Sequence, residues 1–271
     1  MNTVTAKDGT TIAFDKSGAG KPLILVGAAL SSRSLEVTLR EVLAPHFTVI
    51  TYDRRGRGDS GDTPPYAVER EIEDIAALVQ DVGGSAFLFG QSSGAVLALE
   101  AAARLGSAIS KLALYEPPFG VDESRPPLPP DYVRHLTDLI RADRRGDAVE
   151  YFMSAAVGVP GEILAQMRQA PMWPALEAAA PTLLYDQAVM DAAQRRTPQG
   201  YTLRSELMAA VTTPTIVMDG GASPAWLRTP VQVTVDALPN AKRRTLEGQS
   251  HGIAMEAPDV LARTLVEIFA D

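Results

Sequence analysis

A chain of 271 residues, 46% of them hydrophobic, can bury a sizeable core, either as one α/β domain or as a domain with an inserted lobe. The formal charge of -8 disfavours nucleic acid, and the lack of cysteine removes disulfides, thiol nucleophiles and cysteine-ligated zinc together. The longest nearly unbroken apolar stretch, 22–30, is far short of the roughly 20 residues of a membrane helix, and no basic start leads into an apolar run, so a cytoplasmic location without a membrane partner is expected.

In chain order, strands are predicted near 4–6, 11–16, 23–27, 48–53, 86–89, 111–116, 215–219 and 243–246. The central ones (LILV, TVIT, AFLF, LALY, TIVM) are apolar on both faces, as parallel strands covered by helices are. Helical spacing appears at 69–80, with Ile72, Ile75, Ala76 and Val79 on one stripe, and in the alanine-rich 94–105. It returns at 259–269, after Pro258, where Leu261, Leu265, Val266 and Phe269 align. Such alternation predicts a doubly wound α/β sheet. Between 116 and 214 it stops. The stretch EPPFGVDESRPPLPP is too rich in proline for a regular helix. Helical pieces follow at 131–144, 147–156, 162–169 and about 174–193. Residues 117–208 therefore read as an inserted helical lobe between core segments 1–116 and 209–271.

Two glycine patterns mislead. GRGDSG (56–61) matches a dinucleotide-binding spacing, but Arg54 and Arg55 separate it from the strand and DTPPY follows where a helix should start. It reads as a structural turn. SGAGKP (17–22) lacks the leading glycine of a phosphate loop and has Pro22 where a magnesium-binding hydroxyl belongs. Neither implies a cofactor.

Gly90-Gln91-Ser92-Ser93-Gly94 fits G-x-S-x-G in one register, centred on Ser92. A nucleophile at the apex of a strand-to-helix turn has a strained backbone, and small residues two positions away let the chains pass closely. The following N–H, that of Ser93, would point from the helix N-terminus at the same place. Preceded by AFLF and followed by AVLALEAAARL, Ser92 is the candidate nucleophile. Its base must be one of three histidines. His46 leads into a strand and His135 lies within a lobe helix; His251 falls between the last strand and the last helix, where a loop can reach Ser92.

At this point the chain resembles the α/β-hydrolase family over nearly its whole length. The likeness rests on YDRRGRGDS (52–60), GQSSG, LYEPP, TPTIVMDGGASP and EGQSHGIAMEAPDVL. It implies an eight-stranded, mostly parallel sheet, a cap formed by the inserted lobe, a Ser–His–acid triad and a two-donor oxyanion hole. One donor would be the Ser93 N–H. The second would be Ala29, in a loop that carries Gly27-Ala28 in place of the family's usual His-Gly pair. Ser223 stands where most members have their aspartate. Glu116 closes the sixth strand, a position that haloalkane dehalogenases and zearalenone-type lactone hydrolases use for the acid; the latter also resemble this chain in their SSGA elbow. Glu116 is thus the expected acid, with Asp219 the alternative and Glu247 a third.

A serine nucleophile implies acyl transfer rather than dehalogenation or epoxide opening, with no cofactor and no metal. Met153, Met172, Trp173 and, outside the lobe, Trp226 suggest an apolar pocket for a small or medium ester or lactone. A carbon–carbon bond hydrolase, a cofactor-free lyase and a non-catalytic binding protein remain open on the same residues. The oligomeric state is not encoded in any pattern found.

Overall fold

The computed structural model describes residues 1–124, 127–197 and 200–270. The first half of the chain forms β1 (Asn2–Thr5), β2 (Thr11–Ser17), β3 (Pro22–Val26), α1 (Val37–Leu43), β4 (Thr48–Tyr52), α2 (Val68–Asp81), β5 (Ala86–Gln91), α3 (Ser93–Leu105) and β6 (Ile109–Tyr115). There follow α4 (Tyr132–Arg141), α5 (Arg145–Phe152), α6 (Gly161–Met167), α7 (Trp173–Ala179), α8 (Leu183–Ala193), β7 (Gln194–Thr197), β8 (Gly200–Leu203) and α9 (Ser205–Ala210). The chain then returns through β9 (Thr215–Gly220), α10 (Ala225–Ala237), β10 (Ala241–Leu246), α11 (Ile253–Glu256) and α12 (Pro258–Ala270).

Eight strands make one sheet in the order β1-β2-β4-β3-β5-β6-β9-β10. β2 is antiparallel to both neighbours, and every other pair is parallel. Successive strand side chains point to opposite faces, so each apolar run feeds two cores. Leu23, Leu25, Phe87 and Phe89 pack with Leu39 and Leu43 of α1 and Leu261 and Leu265 of α12. Ile24, Val26, Leu88 and Leu112 pack on the other face with α2, α3 and Val231 of α10. Each such side chain, fully buried, contributes ~1.5–3 kcal/mol. β3 pairs with β4 on one side and β5 on the other, so the winding reverses there. Clefts outside the carboxyl ends of strands at such a reversal are where ligands bind in open α/β sheets.

The described residues between β6 and β9 add no strand to this sheet. Leu136, Val149, Trp173 and Leu176 build a separate small core. The segment is not wholly helical, however: β7 and β8 pair antiparallel, which QRRT and GYTL do not advertise by any apolar alternation. The expected helix at 174–193 divides into α7 and α8 around Pro181, whose ring excludes a continuous ladder. The second half of α8, with Val189 and Ala193, joins the main core against α3. Four helices have no counterpart in the sequence reading: α1, α9, α10 and α11. α10 carries Pro230 in its interior, which disguises it. No helix among the described residues is long and apolar enough to cross a membrane.

Candidate active site

β5 runs directly into α3 through Ser92, which has φ 55 and ψ -127, a left-handed conformation that a serine adopts only where its surroundings enforce it. Two glycines permit the turn. A Cβ on Gly90 would lie 2.3 Å from the Gly94 carbonyl oxygen, and one on Gly94 would lie 2.3 Å from that of Val26 at the end of β3. The G-x-S-x-G spacing is therefore a record of two backbone crossings. Ser93 opens α3, so its N–H has no acceptor within the helix.

His251 lies between β10 and α11, on a loop tied to the sheet from two sides. Gln91 Nε2 donates to the His251 carbonyl at 2.6 Å, and the Tyr115 hydroxyl donates to that of Ser250 at 2.7 Å. Its Nδ1 stands 2.6 Å from Oε2 of Glu116. Glu116 is fully buried, and its other oxygen accepts the Gly220 N–H at 2.8 Å. It also has a positive φ, 47, as β6 breaks off. With an acceptor-only carboxylate opposite, Nδ1 carries the proton and Nε2 is left as the acceptor. Of the other histidines, His135 stands edge-on to Tyr151 within the lobe, and His46 packs beside Phe47.

Asp219 does not compete for the imidazole. Its carboxylate accepts from Arg228, twice from Arg243 and from Thr245, at 2.8–3.0 Å. Burial alone would raise its pKa; the hydrogen bonds from Arg243, Arg228 and Thr245 outweigh it and hold the carboxyl below its ordinary range. This corrects the alternative assignment. Glu247 is exposed, and the buried Ser223 Oγ has no hydrogen-bond partner among the described residues.

The loop after β3 brings Ala29 to the cavity that Ser92, Ser93 and His251 also line. Behind it the DRRGRG turn buries its arginines rather than solvating them: Arg54, Arg55 and Arg57 are each at most 2% exposed. Arg54 is bidentate to Glu71 at 2.6 and 2.7 Å and reaches Asp186 Oδ1 at 2.6 Å; Arg57 reaches Asp186 Oδ2 at 2.7 Å. The Ser93 hydroxyl donates to Asp186 Oδ1 at 2.8 Å. Burial would push the Asp186 carboxyl up, but the Arg57 and Arg54 cations prevail and keep it below the usual range. Nearby, Glu36 Oε1 accepts from Ser31 Oγ at 3.1 Å while Oε2 is buried without a partner among the described residues. Burial pushes that carboxyl up to about 8.

The cavity measures about 630 Å³, in the range of small-molecule sites. Leu128, Phe152, Leu183, Met190 and Trp226 give it apolar walls, while Gln187 and Gln194 add amides. Of the four residues expected to touch substrate, Trp226 alone lines it. Trp173 is buried in the core of the lobe, and Met153 and Met172 pack against that core. Large apolar residues at helical spacing there serve packing. Asp186 was missed, though a signal existed: Leu183, Asp186, Val189 and Ala193 are the buried positions of α8, so an acid sits on its apolar stripe. Among the described residues, no group of three or more His, Cys, Asp and Glu side chains could hold a metal ion.

Residues 23–264 match the family model described as the alpha/beta hydrolase family. An alpha/beta hydrolase from Sphaerobacter thermophilus DSM 20745 superimposes with a TM-score of 0.90 at 57% identity, over 99% of this chain and 100% of that one. The non-heme chloroperoxidase CPO-A1 of Kitasatospora aureofaciens is 25% identical over 96% of this chain and 95% of its own. A thermophilic esterase from Thermogutta terrifontis shares the fold with a TM-score of 0.72 at 22% identity, covering 98% and 96%.

Proposed function

Because this chain belongs to the alpha/beta hydrolase family and is a hydrolase, we propose that it cleaves a carboxylic ester or lactone of small to medium size through an acyl-enzyme on Ser92. Ser92 Oγ attacks the carbonyl carbon and its proton passes to His251 Nε2. The carbonyl oxygen, now an oxyanion, takes hydrogen bonds from the N–H groups of Ser93 and Ala29. Collapse expels the alkoxide, which takes the proton back from the imidazolium. Water then attacks the acyl carbon with His251 again as base, and Ser92 is regenerated. Glu116 remains ionised throughout; it fixes the tautomer and stabilises the imidazolium. The 117–208 segment acts as the cap over the cavity, its apolar walls taking the hydrocarbon part of the substrate and the amides of Gln187 and Gln194 a polar group.

One observation carries this reading: a buried carboxylate 2.6 Å from an imidazole, in a cavity shared with a serine on a strained elbow. The esterase likeness supports it at the level of fold. The test is fluorophosphonate labelling beside a panel of p-nitrophenyl esters and lactones, run on wild type and Ser92→Ala. Ser92→Ala should lose all labelling and at least ~10⁴-fold in kcat. Labelling or ester hydrolysis that survives Ser92→Ala refutes the reading. Ser93→Ala retains its N–H and should still label, with some loss of stability because Asp186 loses a donor.

A further inference from the structure

We propose that Arg57 is a positioning residue for the oxyanion hole, and that Asp186, on the lobe, holds Arg57 in place. The inference rests on the acyl-transfer reading above, in which the Ala29 N–H is a donor.

Every face of the Arg57 guanidinium is engaged. Nη1 donates to the Ala28 carbonyl at 2.7 Å and to that of Ser31 at 3.3 Å, Nη2 to Asp186 Oδ2 at 2.7 Å, and Nε to Thr182 Oγ1 at 2.9 Å. The Ala28 oxygen matters because it belongs to the same peptide unit as the Ala29 N–H. A trans peptide is planar, with its C=O and N–H pointing in opposite directions. Fixing the oxygen on Arg57 therefore fixes the N–H in the opposite direction, on a residue, Ala29, that lines the cavity. A cation on the carbonyl also polarises the unit and strengthens its N–H as a donor. The Ser31 N–H, at 3.1 Å from the same oxygen, closes the turn but brings no charge.

The loop has a second anchor. Leu30, with a positive φ of 60, is buried in the core of the lobe. Asp186 meanwhile joins the two donor-bearing segments, through the Ser93 hydroxyl on one oxygen and through Arg57 on the other. Seating of the lobe and alignment of both donors are thus one event. Arg54 is the internal control. It shares Asp186, but it is committed to Glu71 and meets the loop only through a 3.4 Å contact to the Gly27 carbonyl, one peptide earlier.

The experiment compares Arg57→Lys with Arg54→Lys. A lysine can still neutralise Asp186, but a single ammonium cannot span both Asp186 and the Ala28 oxygen as the fork does. Removing an oxyanion donor outright costs roughly 10²–10³ in kcat, so misaiming one should cost about 10-fold or more. Arg57→Lys should show that loss with KM within about twofold, and an equal loss of affinity for a trifluoromethyl ketone, whose adduct on Ser92 carries the oxyanion. Arg54→Lys should lower Tm while keeping kcat within about threefold. If Arg57→Lys does not fold, Asp186→Asn is judged by the same readouts, with a loss of about threefold or more. Unchanged kcat in the folded variant, or a kcat loss without the matching loss of ketone affinity, overturns the inference. Ser92→Ala is assayed alongside: its inactivity beside a fully active Arg57→Lys sinks this inference alone, whereas its activity sinks the serine reading as well.

Discussion

β6 and β9 lie side by side in the sheet, and each has a carboxylate with no solvent exposure within one residue of its end. At β6, Glu116 meets one imidazole and one backbone N–H; at β9, Asp219 meets two arginines and a threonine. Burial does not separate them. What separates them is the kind of partner. Asp219 faces charges that never leave, so it can only hold β9, β10 and α10 together. Glu116 faces an imidazole that, in the proposed reaction, gains and loses a proton, and there it would steady the cation that forms. A buried acid at the active edge of a sheet is thus no sign of catalysis until its partner is known.

The sharpest way to break this contrast is to neutralise each acid with its amide. Glu116→Gln should lose at least about 10²-fold in kcat while its circular dichroism and Tm stay near those of wild type. A fully active Glu116→Gln would erase the distinction. The same division between chemistry and packing holds for the tryptophans. Trp173→Ala, in the core of the lobe, should cost ~3–5 kcal/mol by denaturant unfolding, while Trp226→Ala should leave stability almost intact and shift preference across the ester panel. Asp219→Asn comes next, with a stability loss of ~1–3 kcal/mol from partly exposed arginines left unpaired and kcat within about threefold. The reverse ranking of the two amide variants would transfer the triad role to Asp219.

Glu36 sharpens the comparison from a third side, as a half-buried acid whose Oε2 is shut away from solvent, with neither cation nor imidazole in hydrogen-bond contact among the described residues. Asp53 raises its pKa further, while Arg57 and Arg40 act against burial. Its folded pKa of about 8 lies above the ordinary 4.5, so the native state holds the proton more tightly than the unfolded chain. The stability it contributes is complete below about pH 4.5 and is lost as pH rises to about 8. Glu36→Gln, which cannot ionise, should therefore gain on wild type in Tm across that window. Parallel Tm curves from pH 5 to 9 would contradict this assignment.

The sheet was legible because a parallel strand covered on both faces must be apolar throughout, and LILV, AFLF and LALY can be little else. The elbow at Ser92 was legible because small residues must flank such a turn, although only Gly90 answers to near neighbours and Gly94 passes against the distant Val26 carbonyl; His251 drew notice because it stands alone between the last strand and the last helix. The arginine cluster was not. Arg54 and Arg57 look like a solvated turn until Asp186, 132 and 129 residues away, is brought beside them. Met153, Met172 and Trp173, expected at the cavity, pack in or against the core of the lobe. A methionine or tryptophan on a helix announces burial, but whether it is buried against a ligand or a neighbouring helix depends on how the lobe packs.

The tie between His251 and Glu116 spans 135 residues, and that between His251 and Gln91 spans 160. Closing loops of that length comes with an entropy cost that local helices do not carry, and folds built on such contacts assemble slowly. The elbow bearing Ser92 needs β3 and β6 in place, since Gly94 passes against the Val26 carbonyl and the Ser92 N–H bonds the Tyr115 carbonyl, and on the proposed mechanism it has no base until the far end of the chain has docked. During refolding, helical signal should return before any ester is cleaved. On the proposed mechanism, hydrolysis would thereby time the last event of assembly, since a partly folded chain would carry the serine without its base.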